Sequence, residues 1–395
     1  MEAHVVVVIG TRPEAIKLLP LYKALKSADI PTLLCASFQH TTLLTQVFDL
    51  FQEVPDINLD IMQDNQDLFF LTSSVLNKMK SVFSQIKPAL VLVQGDTTTA
   101  FAAALAAFYL QIPIGHVEAG LRSGDKYSPF PEEINRSFIS KMAALHFAPT
   151  AMSAANLLAE GIDRDAIFCT GNTIVDALAW VKRQLLESKI CVNSFLALKI
   201  DTCKKENNKI VLLTTHRRES FDGGIVRVLT SIKKFALSHA DVFVFYPVHP
   251  NPHVMAAIDA TGLKDIDNII LLPPLLYHEL VYLLISCDWV ITDSGGIQEE
   301  AVSLGKRVLV IRDVTERPEG IWEGMLTLVG TSEKNINRFM TDFYHQATPL
   351  AQERSTYGDG WACERIVKVL QNKFSVEKAA IFESIIQHSV RNDTI

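Results

Sequence analysis

The sequence predicts an α/β protein made of two Rossmann-like, doubly wound domains. Short β-branched runs alternate with helix-periodic stretches along almost the whole chain. The 395 residues also exceed what one ordinary core organises, so two domains of somewhat under about 200 residues each are expected. Strands are expected at Val5–Ile9, Thr32–Cys35, Leu90–Gln94, Ile114–Val117 and His146–Ala148. A second set follows at Ile210–Thr214, Val242–Val248, Ile269–Leu271, Trp289–Thr292 and Val308–Ile311. These runs are apolar almost throughout, as befits parallel strands buried on both faces. Helical periodicity marks Asp67–Ile86, Thr98–Tyr109, Ile225–Leu237 and His278–Ile285. The boundary is placed after TGNTIVD (Thr170–Asp176), giving a first domain of residues 1–176. The helix Ala177–Glu187 then leads to a second domain at 190–360, in which polar Asp201–Lys209 precedes the next strand. The tail, 361–395, is amphipathic and is expected to pack back on the first domain as helix.

Composition narrows the function classes. Hydrophobic residues make up 48 % and charged residues 21 %, with a mean hydropathy of +0.19, which is globular rather than disordered. A net charge of −7 argues against broad nucleic-acid binding, although local Arg clusters can still hold a small anion. Six scattered cysteines, with no C-x-x-C pair, fit free thiols in a reducing compartment better than a disulfide scaffold or a zinc site. The chain enters HVVVVIG with no export signal, and its longest apolar run, Ala100–Leu110, falls short of the roughly 20 residues a membrane span needs. A cytoplasmic protein without membrane insertion is expected.

Chemistry concentrates at strand ends, where open α/β sheets build their sites. EAGLRSGDKYSPFPEEINR (Glu118–Arg136) sets Glu118, Asp125, Glu132 and Glu133 among Arg122, Lys126 and Arg136, with Pro131 opening a helix at Glu132. Carboxylates among arginines in a cleft can be held in different protonation states, as acid/base work requires; a solvated loop with surface ion pairs has the same composition. GTRPEAIK (Gly10–Lys17) follows the first strand, and its helix start with Arg12 and Lys17 suits a diphosphate, or is simply a capped helix. It is neither a dinucleotide nor a Walker fingerprint. In DSGGIQEE (Asp293–Glu300), Ser294, Gly295 and Gly296 would turn N–H groups toward a phosphate, with Glu300 further on for ribose hydroxyls. A tight left-handed turn also accounts for the glycines. HRRE puts His216 beside two arginines, an anion site or a structural histidine. Asp96, in VQGDTTT, stands at a strand's carboxyl end before a helix that Thr97 or Thr98 could cap, and reads either as a reactive carboxylate or as a purely structural residue of the N-cap region.

GTRPEAIK, GDTTT, EAGLRSGD…YSPFPEEINR, TGNT, HRRES, TDSGGIQEE and TERPEG occur in this order over nearly the whole chain. Together they resemble the non-hydrolysing UDP-N-acetylglucosamine 2-epimerase family. The resemblance implies a two-domain glycosyltransferase-B-like fold with the active site in the interdomain cleft, a small-molecule nucleotide-sugar substrate, a homodimer, and neither metal nor other cofactor. It also implies interconversion of UDP-GlcNAc and UDP-ManNAc by elimination of UDP to 2-acetamidoglucal and re-addition. Carried over motif by motif, Asp96, Glu118, Glu132 and His216 are the expected catalytic residues. Asp96 and Glu118 would be the proton-transfer pair, Glu132 would assist, and His216 would aid departure of the diphosphate. Arg12, Lys17, Arg136, Ser294, Gly295, Gly296 and Glu300 are the expected substrate-binding residues.

The chain departs from the family where many bacterial members bind a second UDP-GlcNAc as activator. The usual Gln-His-Arg stretch reads Gln39-His40-Thr41, and the basic residue expected near position 65 is Asn65. Weakened activation is therefore expected.

Overall fold

A computed structural model describes residues 4–37, 41–61, 67–215, 223–346 and 356–373. The first half contributes β1 (Val5–Ile9), β2 (Thr32–Ala36), β3 (Ile57–Asn58), β4 (Leu90–Gln94), β5 (Ile114–Val117), β6 (Leu145–Ala148) and β7 (Ile167–Cys169). The second half contributes β8 (Lys209–Thr214), β9 (Val242–Pro247), β10 (Ile269–Leu272), β11 (Trp289–Thr292), β12 (Arg307–Val310) and β13 (Leu326–Leu328). All named pairings are parallel, in the orders β3-β2-β1-β4-β5-β6-β7 and β10-β9-β8-β11-β12-β13. Both are Rossmann-like orders, and each reverses direction at one crevice: between β1 and β4 in the first sheet, and between β8 and β11 in the second.

The central strands are apolar on both faces because both faces are covered. Every residue of β1, β4 and β5 is buried. The ten expected strands are all present, to within a residue or two at their ends. Three short ones, β3, β7 and β13, escape the sequence pattern because they are edge or near-edge strands of two or three residues with partly exposed side chains. The first part of polar Asp201–Lys209 closes the helix Ser194–Lys205, which buries Leu196, Ile200 and Cys203 on one face.

One helix, Thr173–Leu186, joins the halves. It starts inside TGNTIVD, capped by the Asn172 side chain, and therefore runs through the expected boundary at 176. It packs on the helix Arg12–Ser27 of the first half and on Tyr277–Ser286 and Gly295–Ser303 of the second. A single apolar cluster runs through these elements, so the two sheets share buried surface. The segment 356–373 returns to the joint. Asn172 N donates to Tyr357 O, and Ala362 N and Cys363 N, at the start of the helix 362–373, both donate to the Asp176 carboxylate. Ile366 and Leu370 bury in the shared cluster. No described helix is long and apolar enough to cross a membrane.

Candidate active site

At the switch points, the start of the helix after β1 faces the turn after β11 across a cleft. On the first domain, the loop after β1 lies directly on the loop after β4: a Cβ on Gly10 would sit 2.6 Å from the Thr99 side chain, so only glycine permits this approach. Glu14 ties the two loops. Its carboxylate accepts from Gly10 N (3.0 Å) and Thr11 N (2.6 Å), and Thr97 Oγ1 donates to it at 2.7 Å. Burial pushes this carboxyl up to about 7, against those hydrogen bonds. Thr97 Oγ1 also accepts from Ala100 N and so caps the helix Thr98–Tyr109. Thr97 is thus the cap, one of the two threonines expected there.

Asp96 turns its carboxylate to Arg136, with which it is ion-paired, while Asn135 Nδ2 donates to Asp96 O at 2.9 Å. Arg136 is buried and also faces Glu133 at 3.3 Å. Burial disfavours its charge, but Asp96, Glu316 and Glu133 outweigh that and hold its pKa above the ordinary value. Glu133 accepts from Ser123 N and Gly124 N, shaping the loop that the helix Glu132–Met142 follows. Glu132 stands half-buried at the start of that helix. Arg122 is directed away to a bidentate pair with Glu160, and Asp125 and Lys126 are exposed.

Glu118 is the most constrained carboxylate. It follows β5 with φ at +62°, a left-handed conformation that costs a non-glycine residue about 1–3 kcal/mol and persists only when the surroundings enforce it. Those surroundings are a buried ion pair with Lys17, Gln94 Nε2 donating at 2.8 Å, and Arg317 at 3.7 Å. Burial pushes the Glu118 carboxyl up, but Lys17 and Arg317 prevail and hold it below the usual carboxylate range. Lys17 therefore serves Glu118 directly, with Glu299 at 4.0 Å on its other side.

On the second domain, Ser294 stands at the N-cap position of the helix Gly295–Ser303, without a side-chain hydrogen bond to the helix. Neither glycine of the turn has a positive φ, so the left-handed-turn explanation does not hold. Gly295 is required by contact instead: a Cβ there would lie 2.6 Å from the Arg317 guanidinium. Gly296 faces the cleft, where a Cβ would meet nothing within 4 Å. Glu300 is buried, and its Oε1 has no hydrogen-bond partner among the described residues. Burial pushes its carboxyl up to about 7 although Tyr277 and Arg12 favour the charge. Arg12 reaches across the cleft, its guanidinium donating to Leu275 O at 2.9 Å.

Between the domains lies a cleft of about 280 Å³. Arg12, Lys17, Ser294, Gly296 and Glu300 line its polar side, and Val248, Leu275, Tyr277, Leu280 and Ile297 give it an apolar wall suited to a flat base. Sequence reasoning missed that wall, and it missed Gln94, Glu299 and Arg317. The strand-end rule could have found Leu275–Tyr277, which follow β10; no local signal marks the other contacts. His216, Gln39, His40 and Asn65 lie outside the described residues, as does the side chain of Thr41. Among the described residues no group of three or more His, Cys, Asp or Glu is arranged to hold a metal ion.

Two Rossmann-like domains enclosing a cleft lined by a helix N-terminus and a buried carboxylate, with charge-paired carboxylates beside it, define a protein of glycosyltransferase-B-like fold. Residues 23–371 match the family model of UDP-N-acetylglucosamine 2-epimerase. The UDP-N-acetylglucosamine 2-epimerase of Yersinia pestis is 48 % identical over 378 residues, covering 93 % of this chain and 98 % of its own length. The Neisseria meningitidis UDP-GlcNAc 2-epimerase, solved with UDP-GlcNAc bound, superposes with a TM-score of 0.85 at 40 % identity, covering 93 % of this chain and 100 % of that one. The Methanocaldococcus jannaschii enzyme, solved with UDP-GlcNAc and UDP, gives 0.81 at 31 % identity, over 93 % and 99 %. The chain belongs to the UDP-N-acetylglucosamine 2-epimerase family.

Proposed function

We propose that this protein is a non-hydrolysing epimerase that interconverts UDP-GlcNAc and UDP-ManNAc, supplying a ManNAc-type sugar for surface polysaccharide synthesis in the cytoplasm. Carbon 2 of the sugar is not next to a carbonyl, so its proton cannot simply be removed and returned. The chemistry proceeds by loss of UDP from carbon 1 as a base takes the carbon 2 proton, leaving bound 2-acetamidoglucal. UDP then adds back, and a proton is delivered to the opposite face. That scheme needs two acid/base groups on opposite sides of the ring and strong stabilisation of the departing diphosphate.

The observation that supports it best is one cleft in which Ser294, Gly296 and Glu300 face Arg12 and Lys17, with Lys17 paired to Glu118. Asp96, held by Arg136, supplies the second group; Glu132 assists, and His216 and Arg12 attend the diphosphate. Glu300, with a buried unpartnered oxygen, suits the ribose hydroxyls. Phe108, Tyr109, Ile134 and Phe138 form an exposed apolar face on the helices Thr98–Tyr109 and Glu132–Met142, which fits pairing of two copies through the first domain.

The test is incubation of the pure protein with UDP-GlcNAc, followed by proton NMR. UDP-ManNAc at equilibrium supports the proposal. Free ManNAc with accumulating UDP means a hydrolysing epimerase, and no change until an acceptor is added means a glycosyltransferase of the same fold.

A further inference from the structure

The TERPEG segment, Thr315–Gly320, has no part in the chemistry above, yet its charged side chains reach over the cleft. Glu316 and Arg317 are 4 % and 5 % exposed. Glu316 Oε1 lies 3.9 Å from Arg136 of the first domain, and its Oε2 is 2.8 Å from Arg312. Glu319 accepts a hydrogen bond from Thr150 Oγ1, again on the first domain. Arg317 makes the central contacts. Its Nε donates to Glu299 Oε1 at 2.7 Å, its Nη2 stands 3.7 Å from Glu118 Oε1, and its guanidinium occupies the space a side chain on Gly295 would need.

From these contacts we infer that Arg317 is a positioning residue that couples the nucleotide-binding turn of the second domain to Glu118 of the first, so that Glu118 is fully held only when the domains are closed. The inference rests on the reading of Glu118 as a proton-transfer group. The physical logic is that of a buried charge balance. Glu118 faces Lys17 from the first helix, Gln94 from the end of β4, Arg136 from the helix Glu132–Met142, and Arg317 with Glu299 from the second domain. Opening the cleft removes Arg317 and Glu299 together. Lys17 then faces Glu118 with only Gln94 and the outlying Arg136 of the first domain beside it, in a site that admits water. Closure over the nucleotide returns the Arg317 cation to Glu118, while Glu299, to which Asn172 Nδ2 donates at 3.1 Å, anchors the guanidinium against the Gly295 turn. Tyr357, buried on the returning strap, packs against the same segment at Gly320. The acid/base group is thereby made contingent on closure, which limits escape of a reactive intermediate.

The experiment compares Arg317→Lys, Arg317→Gln and Glu118→Gln in the full chain, with kcat and KM for UDP-GlcNAc across pH, UDP affinity by calorimetry, and thermal stability. Arg317→Gln is expected to lower kcat by about 10²-fold, within the range for disturbing an acid/base group, while UDP affinity moves by less than about 5-fold. The acidic limb of its kcat profile should shift upward, because Glu118 loses Arg317, one of the cations that keep it ionised. Arg317→Lys, which keeps the charge without the fork, should restore part of kcat and part of the limb. A purely structural role would lower stability and leave the pH profile of the folded enzyme in place, and that result overturns the inference; wild-type kcat in both Arg317 variants does the same. If Glu118→Gln itself turns over normally, the reading of Glu118 has failed. If Glu118→Gln is inactive while the Arg317 variants keep the wild-type profile, only the coupling has failed. Should Arg317→Gln not fold, the Arg317→Lys profile decides alone: an unmoved limb overturns the inference.

Discussion

Replacing Glu300 by Gln should weaken nucleotide binding and at the same time stabilise the protein above neutral pH. Glu300 is fully enclosed, and burial lifts its carboxyl from the ordinary 4.5 to about 7. At about 1.4 kcal/mol for each tenfold change in proton affinity, that rise is a penalty of about 3 kcal/mol on the ionised form. The sign follows from linkage. The folded-state pKa lies above the unfolded one, so the group's contribution is fully present below about pH 4.5 and is lost as pH rises through about 7. Gln is nearly isosteric and does not titrate. Glu300→Gln should therefore match the wild type near pH 5 and exceed it at pH 8 by up to about 3 kcal/mol. For domains of this size that is a rise in Tm of several degrees, at about 2–4 °C per kcal/mol. The cost falls on function: the ribose hydroxyls lose an ionised acceptor, and UDP affinity should drop by about 1–3 kcal/mol. Thermal denaturation at pH 5 and pH 8, with UDP calorimetry at pH 8, measures both. A stability difference that does not depend on pH, or an unchanged UDP affinity, would refute the assignment of Glu300 as a strained carboxylate kept for the nucleotide.

Glu118→Gln and Asp96→Asn should each lower kcat by about 10²–10⁴-fold with folding intact; near-normal turnover in both would remove them from the mechanism. Activation by UDP-GlcNAc should be weaker than is usual in the family, because Thr41 and Asn65 stand where basic contacts are expected and coupling energy resides in specific contacts. Assay of the reverse reaction from UDP-ManNAc, with and without a trace of UDP-GlcNAc, checks this; an absolute requirement for the trace contradicts it. Product formed in heavy water should carry deuterium at carbon 2 if, as proposed, the two proton transfers use different, exchangeable groups on opposite faces of the ring. Mass spectrometry reads the label, and full retention of the original hydrogen with no glycal released would exclude the two-group scheme.

Much of the architecture is legible in the sequence because it rests on local periodicity. VVVVI and LVLVQ are buried on both faces, so their composition announces central parallel strands. The reactive loops follow from the same rule, since Gly10–Arg12, Asp96, Glu118 and Ser294–Gly296 all sit just past the carboxyl ends of strands that can be recognised. Edge strands such as Ile57–Asn58 were not legible, being too short and too exposed to carry a pattern.

Roles set by long-range contact were decided only by the tertiary structure. In the sequence Lys17 looked like a phosphate ligand, and the fold turns it to Glu118, 101 residues away. The glycine at 295 suggested a left-handed turn, but its cause is the guanidinium of Arg317 packed against it. Asp96 could have been no more than a structural residue beside the Thr97 cap, but the fold pairs its carboxylate with Arg136. By itself the sequence determined which segments are strands and helices and which polar residues stand at strand ends, because hydrophobic periodicity and turn chemistry act over a few residues. The tertiary structure alone decided which charge faces which. Buried charges are tolerated only in pairs, and those pairs form between elements far apart in the chain, within the first domain for Lys17–Glu118 and Arg136–Asp96 and between domains for Arg317–Glu118, at separations no local pattern can encode.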